Sequence, residues 1–108
     1  YLAGAAASSY APFPAELTTP ASGAKIDADG AASIQVSFAW QGSDVDNDIA
    51  SYALYLDNEN ASTQVIASQT DTTATQTLAS GKTYFWKVVT TDKVGNKSNS
   101  AVSHFQIK

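Results

Sequence analysis

The residues best placed to do chemistry are the alternating carboxylates Asp44, Asp46 and Asp48, separated by Val45 and Asn47. Alternate acids in a loop can converge on a hard cation such as Ca2+, which takes oxygen ligands. The pattern is not an EF-hand. Counting from Asp44, the sixth loop position is Ile49 where glycine is required, and the twelfth is Tyr55 where a bidentate glutamate is required. The plainer reading is that the acids make Asx turns and keep the loop solvated. His104 is the only histidine, and with no cysteine in the chain it makes a poor metal ligand by itself. No serine–histidine–acid set, paired cleft carboxylates or cofactor loop can be argued, so the chain reads as non-catalytic.

A chain of 108 residues is one domain's worth. It can bury a core without metal or disulfide staples. All six basic residues are lysines, they are scattered, and the net charge is −4. A nucleic-acid binder needs a basic face, so that class is disfavoured. No apolar run approaches the roughly 20 residues needed to cross a bilayer.

The elements that must position these residues read as short strands. Residues 1–14 form a tether: Ala5 to Ser9 has no periodicity, and Pro12 and Pro14 flank Phe13. Leu2-Ala3-Gly4 is the tripeptide that precedes the lipidated cysteine of a bacterial lipoprotein, but position 5 is Ala5. The stretch therefore reads first as a tether, with a lipid anchor in a full-length form as the alternative. From residue 15 to 108 one folded domain is expected. Glu16 to Ile26 reads as a broken edge strand, with turns at 21–24 and 27–30. Ser33 to Gln41 alternates cleanly, with Ile34, Val36, Phe38 and Trp40 on one face. Ser51 to Asp57 does the same with Tyr52, Leu54 and Leu56. Gln64 to Ala67 is a short strand, and the threonine-rich Thr72 to Leu78 suits an edge. Tyr84, Trp86 and Val88 face inward on the strongest strand. A hairpin with Gly95-Asn96 at its tip then leads to a last strand, Ser100 to Lys108, carrying Phe105 and Ile107. No segment has a helical period of adequate length.

About seven antiparallel strands with a turn every 8–12 residues read as an all-β sandwich of two sheets. Leu78-x-x-Gly81-x-x-Tyr84 fits a tyrosine corner, in which the tyrosine hydroxyl bonds back to the backbone near the preceding turn. The ordered set Pro20, Trp40, Tyr52, Leu78, Gly81, Tyr84, Val88 and Gly95 resembles the fibronectin type III family of immunoglobulin-like sandwiches, especially modules of bacterial surface and secreted proteins. The run from Gly81 to Ser98 is similar to that family's sixth strand and the turn after it. The resemblance spans residues 15–108. It implies a monomeric, non-catalytic spacer or protein-interaction module, extracellular, at the cell surface or periplasmic, whose partners are neighbouring domains or other surface proteins. The Arg-Gly-Asp attachment tripeptide of some animal members is missing, and the chain has no arginine.

The implied topology also assembles two sites. It gathers three loops at one end, so Asp71, Asp92, Asn96 and Asn99 are expected near Asp44, Asp46 and Asp48. It also places Tyr55, Phe85, Val89, Val102 and His104 on one outward sheet face, as an apolar and aromatic patch that fits a partner or the face of a sugar ring. The alternative is that Tyr10, Phe13 or a neighbouring domain covers that patch. A glycan-binding or Ca2+-dependent adhesion module is the second functional expectation.

Overall fold

The structure is a computed structural model, and it describes residues 11–44 and 48–108. The expected tether therefore lies mostly outside the described residues, as do Tyr10 and Asp46. Among the described residues nine strands form and no helix is present. They are β1 (Phe13–Thr19), β2 (Ala24–Ile26), β3 (Ser33–Ser43), β4 (Ile49–Asp57), β5 (Gln64–Gln69), β6 (Thr73–Ala79), β7 (Lys82–Asp92), β8 (Lys97–Asn99) and β9 (Ser103–Ile107). Among these residues no helix is long and apolar enough to cross a membrane.

Two sheets result. The smaller has the order β1-β3-β6, and the larger has the order β2-β9-β7-β4-β5, with β8 also paired to β7. All pairings are antiparallel except β2 with β9, which is parallel. The period-2 alternation is what makes two layers possible. On β3, Val36, Phe38 and Trp40 are buried while Ser33, Gln35 and Ser37 are exposed. On β4, Tyr52, Leu54 and Leu56 are buried, and on β7 Tyr84, Trp86 and Val88 are. The apolar faces meet between the sheets. Phe38 of the smaller sheet packs edge-on against Trp86 at 5.0 Å and Phe105 at 5.7 Å in the larger one. Trp40 meets Tyr52 edge-on at 5.9 Å, and Tyr84 stacks on Phe105 at 5.7 Å. Such offset and edge geometries are the favoured ones for aromatic rings.

Residues 16–26, expected as one broken edge strand, belong to both sheets. β1 pairs with β3 across two register shifts, and β2 runs beside β9. Between them Pro20 is buried. The following turn closes with Ala24 N–H donating to the Ala21 carbonyl at 3.0 Å, and Gly23 N–H reaches the His104 carbonyl at 2.8 Å. The chain thus crosses from one layer to the other within four residues. Phe13 and Pro14, read from the sequence as tether, lie in β1, where an edge position accommodates proline.

The last strand, expected to start at Ser100, starts at Ser103. Ser100 instead bonds with both its backbone and its side chain. Its N–H donates to the Val88 carbonyl at 2.9 Å, and its hydroxyl accepts Val88 N–H at 2.9 Å. A side chain in the place of a backbone acceptor ends β8 and lets β9 begin afresh on the same neighbour.

Candidate binding face and the loop carboxylates

The outward face of the larger sheet is built by register. Phe85 lies between Asp57 on β4 and His104 on β9. Tyr55 is opposite Lys87, and Val89 lies between Ala53 on β4 and Asn99 on β8. Side chains at paired positions share a face, so these residues form adjoining rows. Phe85 and His104 have ring centroids 6.1 Å apart. The Lys87 ammonium sits 5.2 Å from the Tyr55 ring centroid, a cation–π distance. The same ammonium donates to Asn99 Oδ1 at 3.1 Å, and Gln64 Nε2 donates to the Tyr55 hydroxyl at 3.3 Å.

Tyr55 and Phe85 are half-buried, His104 is exposed, and Val102 is 51% exposed just before β9. Val89 departs from the expected exposed patch. It lies on this face but is only 8% exposed. By register it sits in a central strand between Ala53 and Asn99, with a strand on each side. The accessible face is therefore an aromatic and imidazole row beside a lysine and a tyrosine, with Val102 as its exposed aliphatic member. Alternation puts Lys87 on the outward face with Phe85 and Val89, but its partners Tyr55 and Asn99 lie on other strands, beyond what the strand's own sequence shows.

At one end of the molecule, Asp44, Asp48 and Asp92 each bring a carboxylate oxygen within 4.8 Å of the others. Two of the three sequence-predicted acids are thus together, and Asp46 lies outside the described residues. Of the four further residues expected nearby, Asp92 joins the group and Asn96 bonds to Asp92. Asn99 turns to Lys87, and Asp71 is not among the grouped carboxylates. The Lys93 N–H donates to the Asp48 carbonyl at 2.9 Å and ties the two loops together.

Asp92 is nearly completely buried, and its main task is to build the hairpin. Its Oδ1 accepts N–H groups of Val94, Gly95 and Asn96 at 2.8–2.9 Å, and its Oδ2 accepts the Asn96 side-chain amide at 3.0 Å. Gly95 has φ +105°, which lets three successive N–H groups turn toward one acceptor. Burial pushes the Asp92 carboxyl up, but the Asn96, Val94 and Gly95 donors outweigh it and hold the group below its ordinary value. The spacing of the three carboxylates suits a hard cation, yet the most buried member already serves the loop.

A second carboxylate nest was not read from the sequence. Asp57 Oδ1 accepts N–H groups of Glu59, Asn60 and Ala61, and Oδ2 accepts those of Ser62 and Thr63, at 2.8–3.1 Å. Desolvation raises its pKa, and the converging donors overcome this and hold it far below the usual carboxylate range. The available signal was an aspartate at a strand end followed by Asn-Glu-Asn-Ala-Ser, a run that cannot continue a strand.

Compared with known proteins, the chain matches no family model and no curated sequence.

Proposed function

We propose that this chain is a non-catalytic extracellular module that acts as a spacer or protein-interaction domain of a bacterial surface-anchored or secreted protein, and that its sandwich is of the fibronectin type III kind. The observation that carries the reading is the outward face of the larger sheet. Phe85 and His104 are paired at 6.1 Å beside a Tyr55–Lys87 contact at 5.2 Å, on a surface that the core does not need. Aromatic rings with a polar rim are the usual content of a recognition surface. The fold assignment is supported by two sheets whose aromatic faces interlock and by the Tyr84 hydroxyl bonded to Ala79 at 3.0 Å.

A second reading is glycan binding on the same face, favoured by rings side by side on adjacent strands that could stack on sugars. A glycan array probed with the intact chain, with and without Ca2+, separates the two. Retention that Y55S and F85S both abolish establishes the glycan reading, and dependence on Ca2+ adds the Asp44, Asp48 and Asp92 loops to it. Absence of retention under both conditions leaves the spacer or protein-interaction module.

A further inference from the structure

Among the described residues five strands, β1, β2, β5, β6 and β8, have a neighbour on one side only, and four of these edges carry a feature that discourages pairing; β8 is three residues long and begins at Lys97. β1 holds Pro14 and Glu16 and has two register shifts against β3. β2 is three residues long and carries Lys25. β5 pairs with β4 through two register shifts. Proline, charge, shortness and bulges are the devices that keep sheet edges from joining. β6 has none of them. It reads Thr-Ala-Thr-Gln-Thr-Leu-Ala, is uncharged, and pairs with β3 over seven consecutive residues without a shift.

The register shows which backbone groups β6 turns outward. Trp40 N–H donates to the Thr72 carbonyl and Ser80 N–H to the Ala32 carbonyl. By alternation Thr72, Ala74, Gln76, Leu78 and Ser80 bond to β3, while Thr73, Thr75, Thr77 and Ala79 point their N–H and C=O groups away from it. The two ends of this outer row are capped. The Thr73 carbonyl accepts Gln69 Nε2 at 2.8 Å, and the Ala79 carbonyl accepts the Tyr84 hydroxyl at 3.0 Å. Among the described residues, the central window of Thr75 and Thr77 pairs with no strand other than β3. Facing the other layer, Ala74, Gln76 and Leu78 are only half-buried, so this edge of the core is thinly covered.

We infer that β6 is a self-association edge, and that two copies of this chain join antiparallel through Thr75 and Thr77. A twofold axis at Gln76 sets Thr75 of each copy against Thr77 of the other and matches each donor of that window with an acceptor of the same window. The window is self-complementary because its pattern is the same read in either direction, as an isologous contact requires. Its lack of charge matters in a chain of net charge −4, since the two copies meet where neither carries a carboxylate. The joined sheet has the order β1-β3-β6-β6-β3-β1 and brings Leu78 of one copy beside Ala74 of the other. The family resemblance implies a monomer; the β6 edge points instead to a reversible dimer.

The test is sedimentation velocity of the full chain over a wide concentration range, with T75P as the comparison. Proline at 75 removes an outward N–H and leaves the bonds to β3 in place. Association that grows with concentration in the wild type and is at least about tenfold weaker in T75P supports the edge, because two symmetry-related bonds are lost. Should T75P fold poorly, T75K adds a charge at the same place, and amide exchange of the wild type gives an independent readout. Thr75 and Thr77 amides that become protected as concentration rises support the dimer. A wild type that stays monomeric, or a T75K that associates as strongly as the wild type, overturns it. Protection of these amides that does not change on dilution also overturns it, since a segment of the same chain, such as residues 1–10, would then occupy the edge.

Discussion

The Tyr84 hydroxyl donates to the Ala79 carbonyl at 3.0 Å, across the turn that carries the chain from the smaller sheet to the larger one. Tyr84 starts the inward row of β7, and its ring stacks on Phe105. One side chain therefore joins the end of β6 to the core of the other layer. Y84F removes the hydrogen bond and keeps the ring, and its expected cost is about 1 kcal/mol in urea unfolding with an unchanged slope. Y84A also removes the ring, and about 3–5 kcal/mol is expected.

Gly42 and Tyr52 make a second such contact, of the opposite kind. A Cβ at position 42 would overlap the Tyr52 hydroxyl and ring edge. Tyr52 is buried, and the smaller sheet can come this close to it only where β3 has no side chain. G42A should cost about 1–3 kcal/mol by overpacking. In the double variant G42A/Y52L the two losses should sum to less than their separate values, because the clash is shared.

The pH dependence follows from Asp57 and Asp92. Both carboxyls titrate lower in the folded chain than in the unfolded one. Between the two pKa values the unfolded chain binds more protons, so stability rises with pH there. The contribution is complete above the unfolded aspartate value of about 3.9 and is lost as pH falls through the folded values. Thermal melts between pH 2 and 7 should show a plateau at neutral pH and a fall in melting temperature that begins near pH 4. D57N should lower the plateau and shallow the acid limb. A D57N profile parallel to that of the wild type would show that the nest does not act on stability.

The two faces of β7 should respond differently to substitution. Trp86 and Phe38 are buried and in contact at 5.0 Å, so W86A or F38A should cost about 3–5 kcal/mol. Phe85 and Tyr55 are half-buried on the outer face, and F85S and Y55S should each cost about 1 kcal/mol or less. Chemical denaturation of the four variants checks this directly. It also shows that F85S and Y55S remain folded enough for the binding comparisons above.

Much of this architecture is legible in short stretches of sequence. Alternation along β3, β4, β7 and β9 places Phe38, Trp40, Tyr52, Trp86 and Phe105 in the core, because successive strand residues must face opposite ways. The spacing of Leu78, Gly81 and Tyr84 places a tyrosine next to the turn it caps. The threonine-rich β6 reads as an edge, and among the described residues it is one. What depends on pairing between distant segments could not be read this way. That β2 leaves the first sheet and runs parallel to β9 depends on contacts some 80 residues apart in the chain. Asp92 meets Asp44 and Asp48 only because the hairpin and the β3–β4 loop end at the same height. Val89 has the sequence alternation of an exposed residue, yet it is buried at a register position between Ala53 and Asn99. The residue pattern determined which way each side chain points. Strand order and register decided what it meets there, since those depend on loop closure and on packing between layers, terms that no local window contains.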